Sequence, residues 1–258
     1  MSGTRSRLSG RHIAITRPGG QADSLCEAIA SRGGVPVRFP VLAIAAVDDA
    51  TALNEIADRL DDVDLAFFVS PNAVRYALSV ILARRAWPAH IVAATVGKGS
   101  ERALAEFGVP EVVAPAGGFD SEAVLDLPEF QAEAVRGKRV VIFRGDGGRD
   151  LLGETLRGRG AKVEYVTCYR RFCPAQDPAP LLDLARRGEL DAILLTSSEG
   201  VANLVAMVGA DGVDALQSVA IFAPHPRIVA CARAAGFLRV VETPSGDEGL
   251  MQALESHF

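Results

Sequence analysis

The 258-residue sequence predicts two similar α/β domains, each built on a doubly wound parallel sheet. Three observations carry that expectation. First, the chain reads twice: Arg11–Gly33 (RHIAITRPGGQADSLCEAIASRG) lies without a gap over Lys138–Gly160 (KRVVIFRGDGGRDLLGETLRGRG), an offset of 127 positions. Arg17 then meets Arg144, Gly20 meets Gly147, Asp23 meets Asp150, Leu25 meets Leu152 and Glu27 meets Glu154. The same offset carries Asp64–Val74 onto Asp191–Val201, and it drifts by one residue where Gly108 falls on Gly236 and Ser121-Glu122 on Asp247-Glu248. Second, short apolar runs alternate with amphipathic stretches in each copy, the rhythm of parallel sheets covered on both faces. Third, 49% hydrophobic and 23% charged residues over this length suit a globular chain with room for two ordinary domains. A period this long marks a duplicated domain-sized unit rather than a solenoid repeat, and two such units invite a binding site in the cleft between them.

The elements follow in order. His12–Thr16 is a short apolar run, Arg17-Pro18-Gly19-Gly20 punctuates it, and Ala22–Ser31 places Leu25, Cys26, Ile29 and Ala30 at helical spacing. Gly33-Gly34 stops that helix, and Val35–Phe39 reads as a second strand. Leu65–Val69 is a buried-type strand. Ser70-Pro71-Asn72 then caps a helix, with a hydroxyl at the cap and proline in the first turn. Ile91–Val96 is a strand, Ser100–Phe107 a helix closed by Gly108, Glu111–Ala114 a strand, and Asp120–Leu125 opens a short helix. The second copy repeats the series: Val140–Phe143, Asp150–Arg157, Val163–Arg171, Ala192–Thr196, Val201–Val208, Val219–Phe222, Ile228–Ala235, Val240–Glu242 and Glu248–Leu254. By the repeat alone, the domain boundary falls near Arg136-Gly137.

Ligands of open parallel sheets sit outside the carboxyl ends of the strands. Six loops at those ends are rich in small polar or basic residues and precede helices: Arg17–Gly20, Ser70–Asn72, Gly97–Ser100, Arg144–Arg149, Thr196–Ser198 and Pro224–Arg227. Helix starts present free N–H groups and partial positive charge, which suits carboxylates or phosphates. A net charge of −5 means the overall field does not help, and it points away from nucleic acid. Gly97-Lys98-Gly99-Ser100 lacks the spacer of a P-loop, and Gly145-Asp146-Gly147-Gly148 lacks the third glycine of a dinucleotide fingerprint, so nucleotide binding is not expected. The four cysteines form no CxxC pair and no zinc-like spacing; Cys26 and Cys231 lie on apolar helix faces, and Cys168 and Cys173 flank a strand without a disulfide being expected. His12, His90 and His257 read as surface or structural, and His225 alone stands in a ligand-facing loop. No Ser-His-Asp, Cys-His or metal constellation assembles. The N-terminus has no apolar run after its basic residues and no stretch reaches ~18 apolar residues, so a cytoplasmic protein is expected, with residues 1–10 a loose tail.

Taken in order and spacing, ITRPGGQADSL, VRFPVLAI, FVSPNAVRYAL, TVGKGSERALAEFG, SEAVLDL, VIFRGDGGRDLLGETLRGRGAKVEYVTCYRR, LLTSSEGVANL and PSGDEGLMQAL resemble the uroporphyrinogen-III synthase family over nearly the whole chain. The resemblance implies that the two units exchange their first strand–helix pieces across a two-stranded linker. Domain one is then residues 1–38 with 173–258 and domain two residues 42–169, with Phe39-Pro40-Val41 and Arg170-Arg171-Phe172 as hinge linkers. It implies closure of the linear tetrapyrrole hydroxymethylbilane into uroporphyrinogen III with inversion of ring D, through an azafulvene and a spiro intermediate, with no metal or organic cofactor.

The same resemblance implies a monomer that receives its bilane from the enzyme forming it. Tyr169 matches the family's tyrosine on the returning linker strand and is the expected proton donor. Ser100 and Ser197-Ser198 match hydroxyl-bearing helix starts and are expected carboxylate contacts, together with Ser70, Asn72, Lys98 and Gly145. Arg17, Arg144 and Arg149 are expected to neutralise substrate carboxylates. Pro224-His225-Pro226-Arg227 departs from the family's small hydroxyl residues, with His225 or Arg227 as a cationic substitute. The rival reading is a two-lobed small-molecule or tetrapyrrole-binding regulatory protein of the same architecture, without catalysis. The repeat fills the chain from residue 11 onward, which favours the stand-alone enzyme.

Overall fold

In the computed structural model, which describes residues 6–109, 111–118 and 120–258, the chain opens on β1 (His12–Ile15), α1 (Asp23–Ser31) and β2 (Val35–Arg38). It continues through β3 (Ala43–Ala46), α2 (Thr51–Asp58), β4 (Leu65–Phe68), α3 (Pro71–Leu82), β5 (Val92–Thr95), α4 (Lys98–Glu106), β6 (Val112–Val113), α5 (Ser121–Leu125) and α6 (Ala132–Val135). The second repeat begins with β7 (Arg139–Gly145), α7 (Leu151–Gly158) and β8 (Lys162–Phe172). It ends with α8 (Ala179–Arg186), β9 (Leu190–Leu194), α9 (Ser198–Leu216), β10 (Ala220–Ala223), α10 (Pro226–Ala234), β11 (Val240–Glu242) and α11 (Gly246–His257). Two compact units result, Met1–Ala43 with Phe172–Phe258, and Ile44–Arg171.

Strand order explains why the units do not follow the linear repeats. The first unit holds a five-stranded sheet, β11-β10-β9-β1-β2, with parallel pairs throughout. The second holds β3-β8-β7-β4-β5-β6, in which the five strands from β8 to β6 pair in parallel. Counted from the start of a repeat, both five-strand runs have the doubly wound order 2-1-3-4-5. In each, however, the first two strands come from one repeat and the last three from the other. The opening β-α-β pieces are exchanged, and the chain crosses between units on β3 and β8, which are neighbours in one sheet.

The exchange is visible side chain by side chain. Asp191 accepts hydrogen bonds from Arg11 Nη1 (2.6 Å) and from the His12 N–H (2.9 Å). Its repeat partner Asp64 accepts from Lys138 Nζ and the Arg139 N–H, both at 2.8 Å. Each aspartate thus ties the opening strand of the other repeat to its own sheet. The turns that close the exchanged pieces match as well: Gly10 N–H donates to Gly33 O (2.8 Å) and Gly137 N–H to Gly160 O (2.9 Å).

Each sheet buries both faces. In the first unit Ile13, Ile15, Leu194 and Phe222 pack under α1 and α11, while Ala14, Ile193 and Ile221 pack under α8, α9 and α10. In the second, Phe68, Val141, Phe143 and Val166 meet α2, α3 and α4, and Leu65, Phe67, Val140 and Ile142 meet α5 and α7. The Phe68 and Phe143 rings stack at 4.9 Å in the first of these cores. Burial of such a ring is worth about 3–5 kcal/mol on truncation to alanine.

Several expectations need correction. The loose tail over residues 1–10 lies partly outside the described residues, but Leu8 is fully buried against α1 and α11, and Gly10 hydrogen-bonds to Gly33. Helices α2 and α8, not anticipated, stand at matching places in the two repeats and bury Leu53, Ile56 and Ala57, and Leu181, Leu182 and Ala185. The helix expected over Val201–Val208 runs on to Leu216 through a break at Gly209, whose φ of 68° suits glycine. Phe39 and Val41, placed in a hinge linker, are buried in the first unit's core, with their N–H groups on Ile15 and Thr16 carbonyls.

Candidate active site

All six loops lie at the carboxyl ends of their strands. In the second unit Ser70 follows β4 and caps α3, its Oγ accepting from the Ala73 N–H at 3.1 Å. Gly97 precedes α4 with no side-chain cap; the Ser100 and Glu101 N–H groups donate to Gly97 O, and those of Lys98 and Gly99 have no acceptor among the described residues. Gly99 at the α4 start lies against Pro71 at the α3 start: a Cβ there would sit 3.3 Å from Pro71 Cγ. Asn72 is half-buried at the start of α3, Ser100 is buried, and Lys98 pairs with Glu101 at 2.9 Å. In the first unit Ser197 caps α9 by accepting from the Gly200 N–H (2.9 Å), and Ser198 Oγ is buried with no partner among the described residues. His225 caps α10 in the same way, Nδ1 accepting from the Arg227 N–H at 3.1 Å.

The loop arginines divide sharply. Arg17 is held by Asp247, Arg144 by Asp150 at 2.6 Å, and Arg149 makes a two-pronged pair with Glu122 at 2.8 and 2.9 Å. The Arg149 guanidinium keeps the Glu122 carboxyl below the usual range. Arg144 also lies over the Tyr165 ring at 4.6 Å, and Tyr165 Oη donates to Asp150 O at 3.1 Å. Arg227 is exposed and its guanidinium makes no hydrogen bond or ion pair among the described residues.

Tyr169 is placed by a local irregularity. Along β7 and β8, Arg144 pairs with Thr167 and Gly145 with Tyr169, so Cys168 is the extra residue of a bulge. Side chains alternate along a strand, and the bulge shifts that phase by one. Val166, Cys168 and Tyr169 consequently all enter the core under α3. There the Tyr169 hydroxyl lies 3.1 Å from Ser70 Oγ, and its ring stacks on Tyr76 at 5.9 Å with 26° between planes. The ring also lies on Gly145, where a Cβ would come within 2.6 Å of it. Beside it the Cys168 thiol donates to Arg144 O at 3.2 Å, and burial pushes its pKa up to about 12, so it stays protonated. All four cysteines are free.

Ser70, Gly145 and Tyr169 are therefore brought together, whereas Arg149 belongs to a crevice on the other face of the same sheet. That crevice, about 240 Å³, is lined by Ile142, Arg144, Gly148, Arg149, Leu152 and Tyr165 among others. Tyr76 had no part in the sequence reading. The signal available was its place six residues after Ser70 with Ala73 between, which puts all three toward one side of the helix.

A family model described as uroporphyrinogen-III synthase HemD matches residues 23–252. The chain belongs to the uroporphyrinogen-III synthase family. Among its relatives, the uroporphyrinogen-III synthase of Escherichia coli is 30% identical over 197 residues, covering 76% of this chain and 79% of that one. That of Synechococcus elongatus is 29% identical over 259 residues, with 96% of each covered. Among solved structures, a mutant uroporphyrinogen III synthase of Thermus thermophilus has a TM-score of 0.61 at 20% identity, covering 95% of this chain and 98% of that one. The Helicobacter pylori uroporphyrinogen-III synthetase gives 0.59 at 13%, covering 95% and 99%. At these identities the structures bear on the fold, and they agree with the α/β architecture described above.

Proposed function

We infer that this chain is a uroporphyrinogen-III synthase: it closes hydroxymethylbilane into uroporphyrinogen III with inversion of ring D. The observation that carries the reading is the family match over residues 23–252, which runs through both units and nearly every loop at the strand carboxyl ends. Loss of the terminal hydroxyl as water leaves an azafulvene. Its attack on the substituted carbon of ring D forms the spiro intermediate, and fragmentation and reclosure give the inverted isomer. The pyrrole nitrogen drives the hydroxyl out, so the protein's work is to fold the chain of rings and supply a proton.

Tyr169 is the proton donor in this reading. A phenol carries an O–H that can be donated to a leaving group. Ser70 Oγ already accepts the Ala73 N–H, so its own hydrogen can be given to Tyr169 Oη, leaving the phenol proton for the departing hydroxyl. Because the leaving group departs readily, Tyr169→Phe is expected to slow turnover by about tenfold without abolishing it. Turnover at background with the fold intact would assign the phenol a larger share.

The substrate carboxylates fall to the helix starts. Arg17, Arg144 and Arg149 each hold an acid of their own unit, and a substrate carboxylate would have to displace it. Among the described residues, the Lys98 and Gly99 N–H groups of α4 and the guanidinium of Arg227 meet no such competitor. Ser197 and Ser198 flank the start of α9, and Lys98 and Ser100 stand in the first turn of α4. Supplying freshly generated hydroxymethylbilane to the purified protein, then oxidising and separating the porphyrin isomers, tests the reading. Predominantly type III supports it. Type I alone, the product of unassisted closure, from a folded protein would favour the non-catalytic binding alternative.

A further inference from the structure

Resting on the reading of Tyr169 as proton donor, we propose that Tyr76 is a positioning residue for that phenol and ties it to strand β3. Among the contacts that hold Tyr169 are the Ser70 hydroxyl at one end, the bare Cα of Gly145 under the ring, the β8 bulge at its backbone, and the Tyr76 ring stacked at 5.9 Å. Ser70 and Gly145 are fixed by a helix cap and by a strand. Tyr76 differs, because its hydroxyl donates to the Ile44 carbonyl at 3.3 Å. Ile44 lies on β3, the strand on which the chain passes from one unit to the other, and β3 is the neighbour of β8 in the sheet. One side chain therefore touches both crossing strands: β3 through its hydroxyl and β8 through its ring.

A half-buried tyrosine on the α3 face also serves the core, since Tyr76 packs against the cluster that contains Phe68 and Phe143. The two roles separate by what the loss depends on. A structural role costs stability whatever stands at position 169. A positioning role costs turnover only while Tyr169 carries a hydroxyl to be positioned, and displacement of a reacting group by about an ångström is enough to be felt.

The experiment is a double-mutant cycle in kcat and KM with hydroxymethylbilane, using Tyr76→Leu and Tyr76→Phe, each alone and combined with Tyr169→Phe. Tyr76→Leu is expected to lower kcat about fivefold with KM unchanged, and to cost less than about twofold once Tyr169 is Phe. Tyr76→Phe keeps the stack and loses the Ile44 bond; its expected loss is about twofold, likewise absent in the Tyr169→Phe background. If Tyr76→Leu fails to fold, the Phe variant decides the same cycle. Equal losses in both backgrounds, or none in either, overturn the proposal. A Tyr169→Phe enzyme with unchanged kcat removes the proton-donor reading first, and the role of Tyr76 falls with it.

Discussion

Arg227 and the arginines of the other loops make different demands on a carboxylate ligand. Arg227→Ala removes a cation with no partner among the described residues and is expected to raise KM about three- to tenfold with little change in stability, readable from initial rates and a thermal melt. Arg149→Ala instead leaves Glu122 unpaired beside the crevice. Away from the loops, Asp64 makes a separate prediction. The Lys138 ammonium, followed by the Arg139 N–H, holds its carboxyl below the usual range. A depressed pKa contributes stability that is present above the unfolded value, ~3.9, and is lost as pH falls through the lower folded value. Asp64→Asn should lower the unfolding free energy from urea melts at pH 7, by no more than ~1 kcal/mol for so exposed a pair, and the difference from the unaltered protein should shrink as the pH falls below the unfolded value. Asp64 and Asp191 could be aligned from the repeat, because both open the same apolar run. That each would bind the other repeat's opening strand could not, since the pairing depends on strand exchange.

Strand β8 shows where element-level reading stops. Its range was legible from the run Val163–Arg171, and its apolar residues were evident. The bulge at Cys168 was not, because a phase shift of one leaves no trace in composition, yet it decides that Tyr169 faces α3. Helices α2 and α8 escaped for another reason: eight residues give barely two turns of periodicity. Leu53 and Ala57 recur as Leu181 and Ala185 only after the repeat has drifted by one. The bulge yields a test at its own scale. Gly145→Ala puts a methyl group where the Tyr169 ring now lies, and is expected to cost about 1–3 kcal/mol by overpacking and to reduce kcat toward the Tyr169→Phe level. Adding Tyr169→Ala should return part of the stability that Gly145→Ala removes, since the clash loses its second member. Thermal melts of the two singles and the double decide it.

For the molecule as a whole, the repeat in the sequence and the units in space have different boundaries, and this has consequences for how the chain can be divided. A cut at Arg136-Gly137, the natural reading of the duplication, separates β1 and β2 from β9, and β4 from β7. Both are central pairs in a 2-1-3-4-5 sheet, so each half would carry two broken sheets with apolar faces bared. The Asp64 and Asp191 clamps would be cut as well. A fragment spanning 44–171 instead keeps β4, β5, β6, β7 and nearly all of β8, with the helices that cover both faces. The 44–171 fragment is therefore expected to fold, giving a cooperative urea transition and a mixed α/β circular dichroism spectrum, while fragment 1–136 is expected to show neither. A cooperative transition from 1–136 alone would mean that the opening β-α-β piece can return to its own repeat. The exchange would then be a preference of the assembled chain rather than a requirement of its sheets.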